Sequence, residues 1–365
     1  MSEWQTFCLK DLGKIVGGAT PSTNNPKNYG NKIAWITPKD LSTLQGRYIK
    51  KGGRSISRLG FKSCSTFLLP KHAILFSSRA PIGYVAIAKK RLCTNQGFKS
   101  IIPNKKIYFE FLYYLLKYHK DNISNIGGGT TFKEVSGATL GLFKVKIPPT
   151  YYEQQKIART LSILDQKIEN NHKINELLHT LAYKIYEYYF KYKPKNAKLE
   201  QIIIENPKSS IMVKNAQKTQ DKYPFFTSGD NILSYPKAII DGRNCFLNTG
   251  GNAGIKFYVG KASYSTDTWC ICANEFSDYL YLLLSNIKTH INQSFFQGTS
   301  LKHLQKNLLK KYPIYMPSAH EIKKFNQIIM PLLTLISINT RTSKKLEQIR
   351  DFLLPLLLKQ QVKLQ

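Results

Sequence analysis

The chain has few acids. Its 365 residues hold 22 Asp and Glu against 54 Lys and Arg, a net charge of +32. Between Asp40 and Glu110 there is no acidic residue at all, while fourteen Lys and Arg occupy the stretch. A self-sufficient metal-dependent nuclease needs grouped carboxylates, and that stretch offers none. The six cysteines (Cys8, Cys64, Cys93, Cys245, Cys270 and Cys272) form no C-x-x-C pair, so a zinc ribbon is excluded. Reduced core thiols of a cytoplasmic protein are the expectation. The histidines lack metal-ligand spacing, and no metal is expected. Long apolar runs are missing too. The longest, near 328–338, is interrupted by Pro331, Thr334 and Ser337 and is too short to span a bilayer. The polar opening Met1, Ser2, Glu3, Trp4, Gln5 lacks the apolar core of a signal peptide. A G-x-x-x-x-G-K-[ST] loop is absent, as is an Asn-Pro-Pro-aromatic tetrapeptide, so neither ATP binding nor adenine methylation is indicated.

What is present is positive charge, and it is unevenly placed. Residues 1–150 carry a net +18, 151–193 only +2, 194–317 +7 and 318–365 +5. A surplus of this size points to a polyanionic partner. Anionic lipid would call for a basic amphipathic helix, and the charge does not sit on the long helices. In the acid-free stretch aromatic and small polar residues interleave with the cations. A solvated surface mixes both signs. Arg47, Lys50, Lys51, Arg54 and Arg58 are therefore expected to contact nucleic-acid phosphates or bases.

The chain also repeats itself with a period near 169 residues. Gly129-Thr130 matches Gly298-Thr299, and Pro148 matches Pro317. The run from Glu110 to Leu116 resembles the run from Asp278 to Leu284. Each half reads as a strand-rich globule, a helical stretch (109–120; 278–290), a Gly-Thr loop, a short strand ending in proline and a long helix. The globules differ from each other more than the rest of the repeat does. One frame carrying two faces suggests two different ligand sequences.

Residues 153–191 contain no proline or glycine, enough for a helix of roughly 55–60 Å. Ile157, Leu164, Asn171, Leu178 and Ile185 alternate with Leu161, Ile168, Asn175, Ala182 and Tyr189 as the seam of about five heptads. Phe325, Leu332, Asn339, Leu346 and Leu353 repeat that spacing, although Ser343 and Arg350 weaken the seam and Pro331 and Pro355 threaten to kink it. Asn171 and Asn339 occupy equivalent positions, where a buried Asn fixes register. Antiparallel pairing of the two helices would carry the chain out and back, giving a pseudo-twofold arrangement.

Three stretches then carry a family resemblance. They are Leu9-Lys10-Asp11-Leu12-Gly13-Lys14-Ile15 with Gly18-Ala19-Thr20-Pro21 and Ile36-Thr37-Pro38-Lys39-Asp40-Leu41; Ser77-Ser78-Arg79-Ala80-Pro81-Ile82-Gly83 with Thr94-Asn95-Gln96-Gly97-Phe98; and Pro148-Pro149 with Glu153-Gln154-Gln155-Lys156-Ile157-Ala158. In this order and in duplicate, the sequence resembles the specificity subunit of a type I restriction-modification system. The second copy departs from the pattern, with Glu321-Ile322-Lys323 where Glu-Gln-Gln is usual. The resemblance implies an α+β chain of two β-rich α/β target recognition domains, 1–150 and 194–317. Two long antiparallel coiled-coil helices, 151–193 and 318–365, would join them. It implies a non-catalytic subunit that binds a bipartite sequence in double-stranded DNA. Two methyltransferase subunits and the restriction-translocase subunits would be its partners. Those partners would hold S-adenosylmethionine, ATP and magnesium, and this chain none. A specificity subunit of a related one- or two-protein system remains an alternative, as does a coiled-coil adaptor without DNA contact.

Candidate residues follow from chemistry. Arg79 and Gln96 in the first globule, and Asn248, Thr249, Asn252 and Thr268 in the second, are expected base readers, since Arg suits guanine and Asn or Gln suits adenine. Ser77 and Ser78, with Lys99 and Lys133, are expected beside them. Ser77, Ser78 and Arg79 have no partnered His or Asp that would make a nucleophile. Gly128, Gly129 and Thr130, and likewise Gly298, Thr299 and Lys302, are expected to bring backbone close to a phosphate. Thr227 and Ser228 complete the second set. Gln154, Gln155, Lys156 and Arg159, at the start of the first long helix, are the expected partner contacts.

Overall fold

A computed structural model describes residues 3–129, 133–216 and 222–362. The chain divides into two compact units, Met1–Glu169 with Lys345–Gln365, and Asn170–Lys344. Each long helix contributes to both units.

The first unit is built on a five-stranded sheet in the order Gly13–Gly17, Lys99–Pro103, Ile74–Phe76, Val85–Ala88, Tyr48–Ile49. Side chains alternate across a strand, and here both faces are covered, so the central run is apolar throughout. Ile74, Phe76, Ile87 and Ile101 pack with Phe111, Leu112 and Leu115 of helix Phe109–Asn125. Leu75, Ala86 and Ala88 face the other way, against Ile36, Leu41, Leu69 and Phe98. A three-stranded sheet, Arg54–Ile56, Tyr29–Ile36, Cys93–Thr94, lies beside that second core.

The second unit repeats this plan with four strands: Ile204–Glu205, Thr268–Cys272, Arg243–Asn248, Ile255–Val259. Cys245, Leu247 and Ile271 pack with helix Ser277–Asn286, while Phe246, Cys270 and Tyr258 join Phe226 and Tyr264 on the opposite face. The single helical stretch expected over 278–290 is instead two, Ser277–Asn286 and Lys288–Ser294. All six cysteines are free.

The first long helix is Tyr151–Tyr186, continued by a π-type turn Glu187–Lys191; the second is Ala319–Leu358. Each opens on a reciprocal cap. Thr150 and Glu153 bond each other at the first start, and Ser318 and Glu321 at the second. Pro331 and Pro355, expected to kink or end this helix, do not end it at Pro331, since it runs through that residue. Pro331 and Gln327, the residue four positions back, are both on the exposed face, where water can satisfy the freed carbonyl. Phe325, Ile329, Leu333 and Ile336 anchor the opposite face in the core. Pro355 sits in the last turn.

Both expected Asn positions lie in the seam and are hydrogen-bonded there. Within the second unit Asn339 Nδ2 donates to Asn175 Oδ1 at 2.9 Å. Asn171 Nδ2 donates to Ser343 Oγ at 3.2 Å. The two asparagines are thus near each other, one turn apart rather than paired directly. Ser343 and Arg350 do not weaken their stretches. Ser343 is the partner of Asn171. Arg350, within the first unit, donates to Asp165 at 2.7 Å.

Candidate nucleic-acid interface

In the first unit the central strand Ile74–Phe76 runs straight into the turn Ser77–Arg79. Ser77 and Ser78 are fully buried, so the expected DNA contacts are corrected. They shape the turn. Ser77 Oγ donates to the Pro81 carbonyl and accepts from the Tyr84 amide, both at 2.8 Å. The Ser78 amide donates to the Gly97 carbonyl at 2.8 Å, and its own carbonyl accepts from Val135 at 3.0 Å. That last bond docks the loop that Gly128 and Glu134 close by mutual backbone bonds. Glu134 draws in Arg79 at 3.4 Å and Lys99 at 3.3 Å. The structure thus gathers Arg79, Lys99, Gly128, Gly129 and Lys133 around one turn. Gln96 is exposed and accepts a hydrogen bond from the Thr20 hydroxyl. Thr130 lies outside the described residues.

The other expected cations do not join this turn. Lys50 and Lys51 follow strand Tyr48–Ile49, which runs parallel to Val85–Ala88. The Lys89 amide donates to the Ile49 carbonyl at 2.9 Å, which sets the exposed Lys89, Lys90 and Arg91 beside them. Lys71 is also there, because the next residue, His72, bonds the Ala88 carbonyl. The pairing of Ile74–Phe76 with Val85–Ala88 is antiparallel, so this cluster is at the sheet end opposite Arg79. Lys71, Lys89, Lys90 and Arg91 were not among the expected contacts. Their signal was the Lys-Lys-Arg run inside the acid-free stretch. Arg54 and Arg58 are exposed, and the Arg54 guanidinium lies 5.9 Å from the Tyr29 ring centre.

Arg47 is a correction. It is 3% exposed and cannot reach a phosphate. Its guanidinium bonds Glu110 at 3.1 Å and Glu169 at 3.1 Å, with Asp165 at 4.0 Å. Its backbone amide also donates to Glu169, at 2.9 Å. The Tyr48 and Tyr108 hydroxyls donate to Glu110 as well. Counting cations along the sequence cannot separate such a residue from its exposed neighbours.

The second unit repeats the arrangement with different side chains. Its central strand Arg243–Asn248 leads into Thr249, and a hairpin, Phe296–Gln297 with His303–Leu304, docks there. The Leu304 amide donates to the Thr249 carbonyl at 3.0 Å, and the Gly251 amide to the Lys302 carbonyl at 2.9 Å. Gly298, at the hairpin tip, has φ +142°, and a Cβ there would lie 2.4 Å from the Leu301 carbonyl oxygen. Gly129, its counterpart in the repeat, has φ +124°. Only glycine takes such a conformation without strain. Asn252, Gly298, Thr299 and Lys302 are exposed, and Ser228 and Thr249 half-buried. Asn248 and Thr268 are buried and are corrected as readers, as is the buried Thr227 as a DNA contact. Asn248 Nδ2 donates to the Asn252 carbonyl at 3.1 Å, and its Oδ1 accepts from Lys256 at 3.2 Å. Thr268 Oγ1 donates to the Phe226 carbonyl at 3.3 Å. Burial lowers the Lys256 pKa. Lys256 braces this turn, and as an isolated lysine it carried no signal in the sequence.

At the start of the first long helix Gln154 is 1% exposed, which corrects it as a partner contact. It accepts from the Tyr108 amide at 2.7 Å and donates to the Lys106 carbonyl at 3.0 Å, pinning the helix to its globule. Gln155 and Arg159 are exposed, and Lys156 is half-buried. Among the described residues no group of His, Cys, Asp and Glu could hold a metal ion, and no helix is long and apolar enough to cross a membrane.

The two turns present cations, amides, hydroxyls and glycine backbone, the groups that bind phosphates and base edges. Comparison with known proteins agrees. The family described as type I restriction modification DNA specificity domain matches residues 1–180 and 195–348. The type I restriction enzyme MjaIX specificity subunit of Methanocaldococcus jannaschii is 33% identical, over 97% of this chain and 92% of that protein. The HindI specificity subunit of Haemophilus influenzae is 30% identical over 46% of this chain and 37% of its own length. The crystal structure of a type I restriction-modification S subunit from M. genitalium has the same fold, with a TM-score of 0.64 at 17% identity, covering 97% of this chain and 96% of that one. The expected α+β plan of two β-rich units and long helices stands, and the chain belongs to the type I restriction-modification DNA specificity family.

Proposed function

We propose that each unit reads one half of a split sequence in double-stranded DNA, and that the two halves are separated by a fixed, unread gap. The observation that carries this reading is the duplicated turn. In both units a glycine-tipped hairpin or loop is hydrogen-bonded to the turn that follows the central strand, yet the side chains differ. Arg79, Lys99 and Lys133 surround one; Thr249, Asn252 and Lys302 surround the other. A common frame fits a common task, and different side chains fit different bases.

In this reading the chain is not an enzyme by itself. It recruits two methyltransferase subunits and the restriction subunits, and S-adenosylmethionine, ATP and magnesium belong to those partners. Exposed apolar side chains on the helices support recruitment. Tyr151 and Tyr152 flank Gln155 and Arg159 in the first unit, and Ile174, Leu177 and Leu181 form a stripe with helical spacing in the second.

Methylation-sensitive sequencing of host DNA, with this gene present or deleted, tests the proposal. A split motif that vanishes on deletion is the expected result. A continuous motif, or none, would overturn it. Gel shift of duplex DNA with and without the methyltransferase separates this reading from an adaptor that never touches DNA. Light scattering of the saturated complex is expected to give two methyltransferase subunits per chain.

A further inference from the structure

We propose that Arg47 and Arg243 are positioning residues that key each globule to its stretch of long helix and so hold the gap between the half-sites. The second part of this claim rests on the split-target reading above; the first does not.

The two arginines do the same thing from different places. Arg47 bonds Glu110, the second residue of helix Phe109–Asn125, and reaches Asp165 and Glu169 on the first long helix. Arg243 makes a two-pronged pair with Asp278, the second residue of helix Ser277–Asn286. It then reaches the second long helix, donating to Thr334 Oγ1 at 2.9 Å and to the Met330 carbonyl at 3.2 Å. Glu110 and Asp278 are matched by the repeat. Shifted by the 168 residues that align the helix seams, positions 162–169 of the first long helix fall on 330–337 of the second. Both arginines therefore touch the same stretch.

The arginines themselves are not matched by the repeat. Arg47 precedes Tyr48–Ile49, an edge strand that the second unit's four-stranded sheet does not have, whereas Arg243 opens the central strand. Simple duplication would have placed them at one position. The same link arrived at from two strands is better explained by selection for the link than by inheritance.

A backbone bond accompanies each arginine. The Arg47 amide donates to Glu169 at 2.9 Å, and the Val259 amide donates to Ser337 Oγ at 3.0 Å. Glu169 and Ser337 are equivalent under the same shift. Val259 pairs directly with Arg243 in the sheet. Each globule is thus keyed to this stretch of its helix by one guanidinium and one amide, beside other contacts such as Arg341 on the Val259 carbonyl. Charge-assisted bonds of fixed geometry orient two elements more sharply than apolar contact, which tolerates sliding.

The test uses the full chain carrying Glu169→Ala, or Thr334→Val with Ser337→Ala, which remove the helix-side side-chain hydrogen-bond acceptors of each guanidinium and amide. Glu187→Gln, in an ion pair remote from both links, is the control. Duplexes with the two halves separated by variable gaps are selected, and exchange of the Arg47 and Val259 amides is followed. The wild-type chain is expected to favour one gap length by about tenfold over its neighbours. The variants should read the same half-sequences with that preference reduced to within about threefold, while the control changes nothing. Faster amide exchange with an unchanged gap preference would overturn the gap-setting role. Unchanged amide exchange in Glu169→Ala would overturn the link itself, whatever DNA the chain selects. If the wild type selects no split sequence, the functional reading fails, and amide exchange still decides whether the arginines key the globules. Should Glu169→Ala not fold, Glu169→Leu, which fills the same space and leaves Arg47 paired with Glu110 and Asp165, is read the same way.

Discussion

The two units share a frame and differ in what hangs from it. The first has five strands in its main sheet and a turn dominated by Arg79, Lys99 and the carboxylate between them. The second has four strands and a turn of neutral side chains, Asn248, Thr249 and Asn252, braced by Lys256. Helix caps, glycine tips and arginine links recur in both. What recurs is what any such unit needs to hold its shape; what differs lies in and around the turn. Position in the frame therefore separates buried from exposed polar residues better than residue type does.

The largest expected effect breaks residue type as a guide. Arg47 and Lys50 are three positions apart in one basic run. Removing one member of a buried, hydrogen-bonded charge group costs about 3–5 kcal/mol. Arg47→Ala would strand Glu110 and Glu169 and should lower the denaturant midpoint of the first unit accordingly. Lys50→Ala, at an exposed site, should stay within about 0.5 kcal/mol. Equal stability of the two variants would dissolve the buried network.

Next comes the salt dependence of DNA affinity. Lys50, Lys51, Lys89, Lys90 and Arg91 form one exposed cluster, and the half-buried Arg79 and Lys99 with exposed Lys133 form another, at opposite ends of one sheet. Each phosphate contact removed should lower the slope of log affinity against log salt by about 0.9. Fluorescence anisotropy on a Lys89→Ala, Lys90→Ala, Arg91→Ala variant, set against Lys133→Ala, decides which end faces the duplex. A slope unchanged in both would remove the first unit from the interface.

Smaller still is the effect on reading. Arg79→Ala should relax one half of the target by about 1–3 kcal/mol, and Asn252→Ala the other half. Methylome motifs from the two variants check this. Equal loss at both halves would refute modular reading.

Much of this frame was legible before the structure. The apolar runs, the 3.5-residue seam and the repeat of Gly-Thr and proline each reflect a local rule that sequence states directly. Which cations were exposed was not legible. Arg47 and Lys50 look alike until strand Tyr48–Ile49 turns one inward against Glu110 and Glu169, and both acids are distant in sequence. Gln154 failed as a partner contact for a similar reason, because the Lys106 carbonyl and the Tyr108 amide absorb its amide group. The partners of Asn171 and Asn339 were not legible, because heptad spacing fixes the face of each helix but not the offset between two. That offset has a practical consequence. Asn175 with Asn339, and Asn171 with Ser343, hold both helices in register, so a four-residue insertion in one helix alone should break these bonds.

The last comparison is between the two helix caps. Thr150 with Glu153 and Ser318 with Glu321 are the same reciprocal motif, and a tyrosine joins the second. Glu321 accepts from the Ser318 amide at 2.9 Å and also from the Tyr315 hydroxyl at 2.8 Å, where the matching strand of the first unit has Lys146, which has no hydroxyl. The Ser318 amide foremost, then the Tyr315 hydroxyl, hold the Glu321 carboxyl down at about 2, from an ordinary value of 4.5. A carboxyl depressed in the folded state contributes stability that is present above its unfolded value and is lost as pH falls through the folded one. The contribution of this cap should therefore be intact at neutral pH and fade between about pH 4.5 and 2. Because Glu321 is close to solvent, the whole effect is expected to be about 1 kcal/mol or less. Glu321→Gln should lower the stability of the second unit slightly at pH 7 and make no difference at pH 2, whereas Tyr315→Phe should show part of the same loss. Urea unfolding at a series of pH values, monitored by exchange of amides near Ser318, reads this out. A Glu321→Gln variant with the same acid profile as the wild type would show that the tyrosine hydroxyl does not distinguish the two caps.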